Sequence, residues 1–245
     1  MNRWRVPGLW LGLLLANLLL AGCAGLPPRD AELPSRALSE WADTRLGQVA
    51  TLSLARAADA ASPGASAALS GFLLLPVATD ALQTRMALVR QAQKALDVQS
   101  FEFNGDATGR QLLDLMRAAS ERGVRIRLLV DDLHSDSAQE LLSSFAAFDN
   151  VQVRLFNPFA RLRGSVLAKL MSSLDELDRV NHRMHNKMFA ADNAFVVFGG
   201  RNVADSYFMR GEQRNFIDLD VLGAGPVVRE LSAAFDEYWN SDHSY

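Results

Sequence analysis

The chain has 245 residues, of which 49% are hydrophobic and 22% are charged. These proportions suit one large globular domain and exclude a disordered chain, a collagen-like repeat and a polytopic membrane protein. The formal net charge of -3 leaves no dominant electrostatic footprint for duplex nucleic acid. The single cysteine excludes an intrachain disulfide and a cysteine-based zinc site.

Residues 1–22 have the build of a secretory signal peptide. Arg3 and Arg5 make a short basic start, and a mostly apolar run follows from Leu9 to Leu20. That run is shorter than the ~20 residues that cross a bilayer comfortably. We therefore leave this segment out of the fold.

The signal segment ends at the only cysteine of the protein. Leu20-Ala21-Gly22-Cys23 resembles a bacterial lipobox, which implies cleavage before Cys23 and acylation of its thiol. Two or more acyl chains give stable membrane attachment, whereas one chain gives marginal binding. We expect a lipid-anchored protein of the bacterial cell envelope that faces the periplasm. The following Ala24 resembles lipoproteins of the outer membrane more than those retained at the inner membrane.

Residues 23–70 are rich in Ala, Ser and Pro, and we interpret them as a tether with one short helix around Leu38–Leu46. The compact domain is expected over residues 71–245. Its first half alternates helical and extended patterns. The predicted elements are, in order, a helix over Asp80–Lys94, a strand over Leu96–Phe103, a helix over Thr108–Arg122, a strand over Val124–Val130, a helix over Ala138–Phe145 and a strand over Val151–Phe156.

This alternation predicts an α/β fold with a mixed, mainly parallel sheet flanked by helices. Ligands of such sheets tend to bind at the carboxyl ends of the strands. The next segment, Ser165–Asp178, is amphipathic, with Arg161, Arg163 and Lys169 near its apolar stripe. It is interpreted as a core-facing helix with a solvated basic edge, and the alternative is a lid that touches anionic headgroups.

The stretch from Arg183 to Asn202 contains the residues that point to chemistry. His185 and Lys187 are two apart, which places both on one face of a strand. Asp192-Asn193 predicts a turn, followed by a buried return strand over Phe195–Phe198. The next two residues, Gly199 and Gly200, permit close approach of the backbone to a ligand, and Asn202 adds an amide donor.

These residue types suit attack on a phosphodiester. A neutral imidazole is a competent nucleophile near pH 7, and a lysine offers a compact charge for phosphate oxygens. Glycines and an asparagine add donors where negative charge develops. The pattern fits a phosphohistidine intermediate and demands no metal. Spacing alone leaves open the alternative of a polar surface hairpin in which His and Lys are accidental.

The pattern His-x-Lys-x4-Asp followed by Gly-Gly-x-Asn resembles the phospholipase D superfamily motif, with Gly-Gly in place of the usual Gly-Ser. The resemblance covers about residues 71–241 and is to the cardiolipin-synthase-like branch. Further segments carry it: Leu96-Asp-Val-Gln-Ser-Phe, Thr108-Gly-Arg, Arg122-Gly-Val-Arg-Ile-Arg-Leu-Leu-Val-Asp-Asp132, Asn157-Pro-Phe and Asp218-Leu-Asp-Val-Leu. It implies a single phospholipase D-like domain that needs no metal or other cofactor.

By this resemblance His185 is the histidine that attacks phosphate, or its acid–base partner. Lys187 and Asn202 hold phosphoryl oxygens, with Gly199 and Gly200 beside them. Asp192 belongs to the motif, but its spacing also permits a structural role in buttressing the hairpin.

The attacking imidazole also needs an acceptor on its other nitrogen to fix the tautomer. The family takes this acceptor from an acidic residue on a later strand. Asp218 is the first candidate and Asp220 the second, and a satisfied carboxylate at a strand end is the alternative for both.

Other polar residues are expected to lie outside the chemistry. Asp131 and Asp132 end a predicted strand, and we assign them a capping or loop role instead of a magnesium site. The remaining histidines lack the Lys and Asn context: His134, His182 and His243.

The family's active site uses two such motifs, and this sequence contains one. Either the chain is the N-terminal half of a longer enzyme, which we favour, or two copies assemble and each supplies one motif. The resemblance implies a phosphatidyltransferase or phosphodiesterase that acts on membrane phospholipids. A one-motif homodimeric nuclease and an inactive phosphate-binding relic are the alternatives, and the acidic chain argues against nucleic acid as a partner.

Overall fold

The computed structural model describes residues 34–61, 69–159 and 181–245. The predicted signal peptide, Cys23 and the amphipathic segment Ser165–Asp178 lie outside these ranges. The helices of the described chain are α1 (Arg45–Ala61), α2 (Ala78–Gln91), α3 (Ala107–Glu121), α4 (Gln139–Phe145) and α5 (Pro226–Trp239). The strands are β1 (Gly71–Leu75), β2 (Ala95–Glu102), β3 (Arg125–His134), β4 (Val151–Phe156), β5 (Met188–Ala191), β6 (Phe195–Gly199) and β7 (Asp220–Ala224), and short 3₁₀ turns span Asp136–Ala138 and Asp205–Phe208.

The seven strands form one mixed sheet in the order β1-β7-β6-β5-β2-β3-β4. The predicted α/β class with a flanked, mixed sheet is confirmed, but its description as mainly parallel is wrong. Only β2, β3 and β4 pair in parallel, through helical crossovers. The other four pairings are antiparallel. The second half of the sheet includes the tight β5–β6 hairpin, and a tight turn can join only antiparallel strands.

Helices cover both faces of the sheet. On one face, Leu82 and Met86 of α2 and Leu112 and Met116 of α3 belong to the larger core cluster, together with apolar residues of β2 and β3. On the opposite face, Phe235 and Trp239 of α5 pack with residues of β3 to β6. Within the described ranges, no helix combines the length and the hydrophobicity required to cross a membrane.

The helix inside the predicted tether lies further along the chain than expected. It begins at Arg45, not near Leu38, because the Thr44 hydroxyl accepts a hydrogen bond from the Gly47 amide (2.9 Å) and caps the helix there. Leu46 and Ala50 of this helix are buried in the larger core. This part of residues 23–70 is therefore packed against the sheet domain.

The residues before α1 are held by the last helix of the domain. The backbone amide of Ser35 donates to the Asn240 side chain (3.0 Å), and that of Ala37 donates to the Asp236 carboxylate (2.9 Å). The described chain thus enters the fold along the end of α5.

Candidate active site

The predicted site residues gather at one end of the sheet, apart from Asp192. β2 and β3 finish at this end with Glu102 and His134, and β6 finishes there with Gly199. The antiparallel neighbours begin there, so the residues that precede Met188 and Asp220 lie at the same end. Carboxyl ends of parallel strands are where open α/β sheets bind ligands.

The backbone ahead of His185 is anchored to two neighbouring strands. The Arg183 guanidinium donates to the Asp131 carboxylate (2.9 Å) and to the Asn157 carbonyl oxygen (2.8 Å). The Met184 amide donates to the other Asp131 oxygen (2.9 Å). Because Asp131 is fully buried, these bonds fix where the chain emerges at His185.

His185 and Lys187 contact the same aromatic ring. The imidazole centroid lies 4.8 Å from the centroid of Phe101, and Lys187 Nζ lies 5.1 Å from it. The two residues precede β5, which begins at Met188. The expectation that strand geometry places both side chains on one face therefore does not apply to them. The Phe101 ring instead brings the exposed imidazole and the largely buried lysine together.

The surroundings of His185 favour its neutral form. Partial burial, followed by the nearby Lys187 charge, lowers the pKa of His185 below its ordinary value, and the Asp131 charge opposes this shift. A lowered pKa leaves the imidazole unprotonated at neutral pH, as a nucleophile requires.

Burial also lowers the pKa of Lys187, against the opposing charges of three carboxylates. In order of their effect, these are Asp218, Glu102 and Asp131. Because all three favour the ammonium form, the site keeps a positive charge next to a neutral imidazole.

Asn202 is buried and held by the end of β2. Its Oδ1 accepts a hydrogen bond from the Glu102 amide (3.1 Å), and the parallel bridge between Phe103 and Val203 fixes this approach. The Asn202 and Glu102 side chains also act on the pKa of the nearby Tyr207 hydroxyl. Burial raises the pKa of Tyr207, so its hydroxyl stays protonated and able to donate at neutral pH.

The space beside the two glycines is filled by oxygen atoms of the protein and is not open to a ligand. A Cβ on Gly200 would collide with the Asp218 carboxylate, and one on Gly199 would collide with the Leu219 carbonyl oxygen. The Gly200 amide donates to that same carbonyl (3.1 Å). The backbone donor of Gly200 predicted for a phosphate is therefore already used, and the pair of glycines brings Asp218 close to the site.

The two acidic candidates for orienting His185 differ in their surroundings. Asp218 is half-buried and acts electrostatically on Lys187, whereas the carboxylate whose charge acts on His185 is Asp131. Asp220 is fully buried and pairs with Arg85 (2.9 Å) and Arg201 (3.4 Å). Two arginines therefore neutralise Asp220 inside the fold, and its role as the orienting residue stays a prediction.

Asp192 lies at the other end of β5 from His185. Its carboxylate accepts hydrogen bonds from the backbone amides of Gln93, Lys94 and Ala95 at 2.7–3.1 Å. Asp192 and Asn193 both adopt positive φ, which these residue types tolerate in a tight turn. This placement corresponds to the alternative in which Asp192 buttresses the hairpin. It lies away from the end of the sheet where His185 and Lys187 are found.

Sequence reasoning did not single out several residues of the site. Phe101, Glu102 and Tyr207 have no motif of their own, although the Phe101 segment belongs to the wider resemblance. Asp131 anchors the backbone at His185, a closer involvement than the predicted capping role. His134 also packs on Phe101, with centroids 5.3 Å apart. Within residues 34–61, 69–159 and 181–245, no three His, Cys, Asp or Glu side chains are grouped to hold a metal ion.

Comparisons with known proteins show which family the chain is similar to. A family model described as cardiolipin synthase, PLD-like domain, matches residues 86–239. Cardiolipin synthase C of Escherichia coli is 38% identical over 169 residues, which cover 69% of this chain and 35% of that protein. An uncharacterized protein of Helicobacter pylori is 36% identical over 177 residues, with 71% and 34% covered. The chain thus spans about a third of the length of these relatives.

Solved structures share the fold at low sequence identity. NucT from Helicobacter pylori aligns with a TM-score of 0.51 and 15% identity, over 72% of this chain and 99% of that one. Phosphatidylserine synthase of Haemophilus influenzae aligns with a TM-score of 0.50 and 17% identity, over 70% and 36%. At these identities the alignments establish the fold alone.

Proposed function

Because the chain belongs to the family of cardiolipin synthase PLD-like domains, we propose that it transfers or hydrolyses phosphatidyl groups of membrane phospholipids. The observation that carries the proposal is the exposed His185 imidazole, with a lowered pKa, beside Lys187 on the Phe101 ring. An imidazole in this state is suited to covalent catalysis on phosphorus.

In the first step, a ring nitrogen of His185 attacks the phosphorus of a phospholipid. A P–N bond forms, the P–O bond to the headgroup alcohol breaks, and the leaving oxygen takes a proton. In the second step, an alcohol or water oxygen attacks phosphorus and gives its proton to the group that protonated the leaving oxygen, the P–N bond breaks and the imidazole is restored. Attack by an alcohol gives a new phosphodiester, and attack by water gives phosphatidic acid.

The charge that develops on the phosphoryl oxygens meets two groups of this chain. The Lys187 ammonium supplies a positive charge next to the imidazole. Asn202 has its oxygen occupied by the Glu102 amide, so its NH₂ group is the part of the side chain that remains to donate to a phosphoryl oxygen. Donors fixed in this way stabilise a transition state without reorganising.

The leaving oxygen needs an acid, which the phospholipase D resemblance places on a second His-x-Lys-x4-Asp motif. In the proposal this motif comes from the remainder of a longer protein or from a second copy of the chain. Loss of a general acid typically costs ~10²–10⁴-fold in rate, so the chain without that partner is expected to be slow with alkyl diesters.

The predicted lipid anchor completes the proposal. Acylation of Cys23 would hold the domain at the periplasmic face of a membrane of the cell envelope, with the outer membrane favoured. Metabolic labelling with radioactive palmitate tests this point. Label that persists in a Cys23→Ser variant would contradict it.

The activity is tested with the full chain and vesicles of radiolabelled phosphatidylglycerol. We expect cardiolipin or phosphatidic acid, and loss of both in His185→Ala but not in His243→Ala, which removes an imidazole outside the site. Absence of both products, with binding of phosphate intact, would favour the inactive relic. Cleavage of single-stranded DNA that disappears in His185→Ala would favour the nuclease alternative instead.

A further inference from the structure

Several large apolar side chains close to Asp218 in sequence are exposed. Ile217 is 97% exposed and Leu219 is 45% exposed, on either side of that carboxylate in sequence. Met209 and Phe216 are also exposed. We call Met209, Phe216, Ile217 and Leu219 the apolar rim. A single exposed apolar side chain is common, whereas several in one segment indicate an interaction surface.

The apolar rim is joined directly to the site. The Phe216 ring packs on the Tyr207 ring, with centroids 4.8 Å apart, and the Phe216 amide donates to the Ser206 carbonyl oxygen (2.8 Å). Tyr207 lies near Glu102 and Asn202, while Asp218 is seated against Gly200. Ile217 is therefore presented to solvent between two residues that are fixed in the site.

The loop that bears the rim is ordered and carries exposed arginines. The Gly211 amide donates to the Asn215 side chain (2.8 Å), which donates back to the Gly211 carbonyl oxygen (3.1 Å). The Arg214 guanidinium lies 5.4 Å from the Phe216 ring centroid, and Arg210 is also exposed. Between Met209 and Leu219 the acidic residues are Glu212 and Asp218. Because the Asp218 carboxylate is seated against Gly200, the exposed charges of the loop are two arginines and one glutamate.

We propose that the apolar rim inserts into the surface of an anionic phospholipid bilayer and seats the site at the headgroups. This inference rests on the proposed function, since a phospholipid substrate keeps its acyl chains in the bilayer while its phosphate reaches His185. Apolar side chains bordered by arginines match such an interface, because the former enter the acyl boundary and the latter meet anionic headgroups. The rim acts in addition to any anchor at Cys23.

The first test locates the rim without requiring turnover. Ile217→Cys is labelled with a bimane fluorophore, and the full chain is mixed with phosphatidylglycerol vesicles that carry brominated acyl chains. We expect at least twofold quenching at this position. Leu52→Cys is the matched control, because Leu52 is 59% exposed on α1 and should stay unquenched. The unsubstituted chain, treated in the same way, gives the contribution of Cys23.

The second test separates membrane engagement from chemistry. In Ile217→Asp, turnover of phosphatidylglycerol vesicles should fall about tenfold, while hydrolysis of the soluble bis(p-nitrophenyl) phosphate stays unchanged. Equal quenching at positions 217 and 52 would overturn the inference, as would an equal loss on both substrates.

A bimane signal at position 217 that depends on protein concentration without vesicles would assign the rim to a second copy of the chain and also overturn the inference. If the probe is quenched as expected but no phospholipid is turned over, the proposed function fails and the membrane contact stands.

Discussion

The ammonium nitrogen of Lys187 donates a 2.6 Å hydrogen bond to the carbonyl oxygen of His185, two residues earlier. The lysine side chain therefore folds back along its own backbone, which places its charge next to the imidazole. This contact explains how His185 and Lys187 come together with one residue between them, although neither lies within a regular strand.

Lys187→Met should raise the pKa of His185. The Lys187 charge is one of the two causes that lower this pKa, so its removal makes protonation of the imidazole easier. The midpoint is measured from the imidazole proton shifts in an NMR titration of the full chain. A midpoint that stays in place or moves to lower pH would contradict the assigned contact.

Asp131→Asn should move the same midpoint in the opposite direction. The Asp131 charge raises the pKa of His185, and the amide removes that charge at nearly unchanged size. In the unsubstituted chain, diesterase activity should rise with pH and reach half its plateau below pH ~6.5, the ordinary histidine value, because the neutral form is the nucleophile. A pH–rate profile of both proteins checks the direction of the shift. A half-maximum of the unsubstituted chain above pH ~6.5 would contradict the lowered pKa of His185.

Asp192→Asn should reduce stability more than it changes the chemistry. Asparagine tolerates the positive φ at this position, but its NH₂ group faces amides that can only donate. Loss of hydrogen bonds to a charged group costs about 1.5–3 kcal/mol. Urea unfolding measures the loss, with the exposed Asp149→Asn as control. A folded variant of unchanged stability but abolished turnover would instead assign Asp192 to catalysis.

Gly200→Ala should disable the site because the new methyl group would occupy the place of the Asp218 carboxylate. Displacement of Asp218 removes the carboxylate with the largest effect on the Lys187 charge. We expect turnover to fall by at least tenfold. Gly223→Ala is the matched control, because its Cβ would meet only side-chain carbons of Val227, Phe198 and Val196. Equal effects of the two variants would refute the explanation.

Tyr207→Phe should weaken turnover without unfolding the chain. The ring and its contact with Phe216 remain, while the hydroxyl that is able to bond Asn202 or Glu102 is lost. A hydrogen bond of this kind contributes about 0.5–1.5 kcal/mol, which corresponds to a rate loss of up to about tenfold if it acts in the transition state. Steady-state kinetics with a soluble diester measures the effect. Unchanged kinetics would limit Tyr207 to supporting the rim.

Local signals predicted the strands and helices of the first half of the domain well. The strand Val151–Phe156 is observed with the predicted bounds, and α3 begins next to its prediction because Asp106 caps it. The predicted start of α1 is wrong because the prediction for residues 23–70 rested on their Ala and Ser content, whereas the Thr44 cap determines where the helix begins.

The site was predicted less completely, for reasons of long-range packing. The partner of Asp220 is Arg85, 135 residues away, so the sequence could not reveal that this carboxylate is neutralised inside the fold. The charge that acts on His185 belongs to Asp131, whose neighbourhood is created by sheet order and not by chain order. The position of Phe101 in a strand predicts core packing and gives no sign of a place in the site.

The bonds from Asp192 to the start of β2 affect how related sequences should be screened. A descendant that has lost its imidazole and its lysine would still need this carboxylate to close the hairpin. Retention of the aspartate alone therefore reports that the domain folds, and only retention of the histidine and the lysine reports that it is an enzyme.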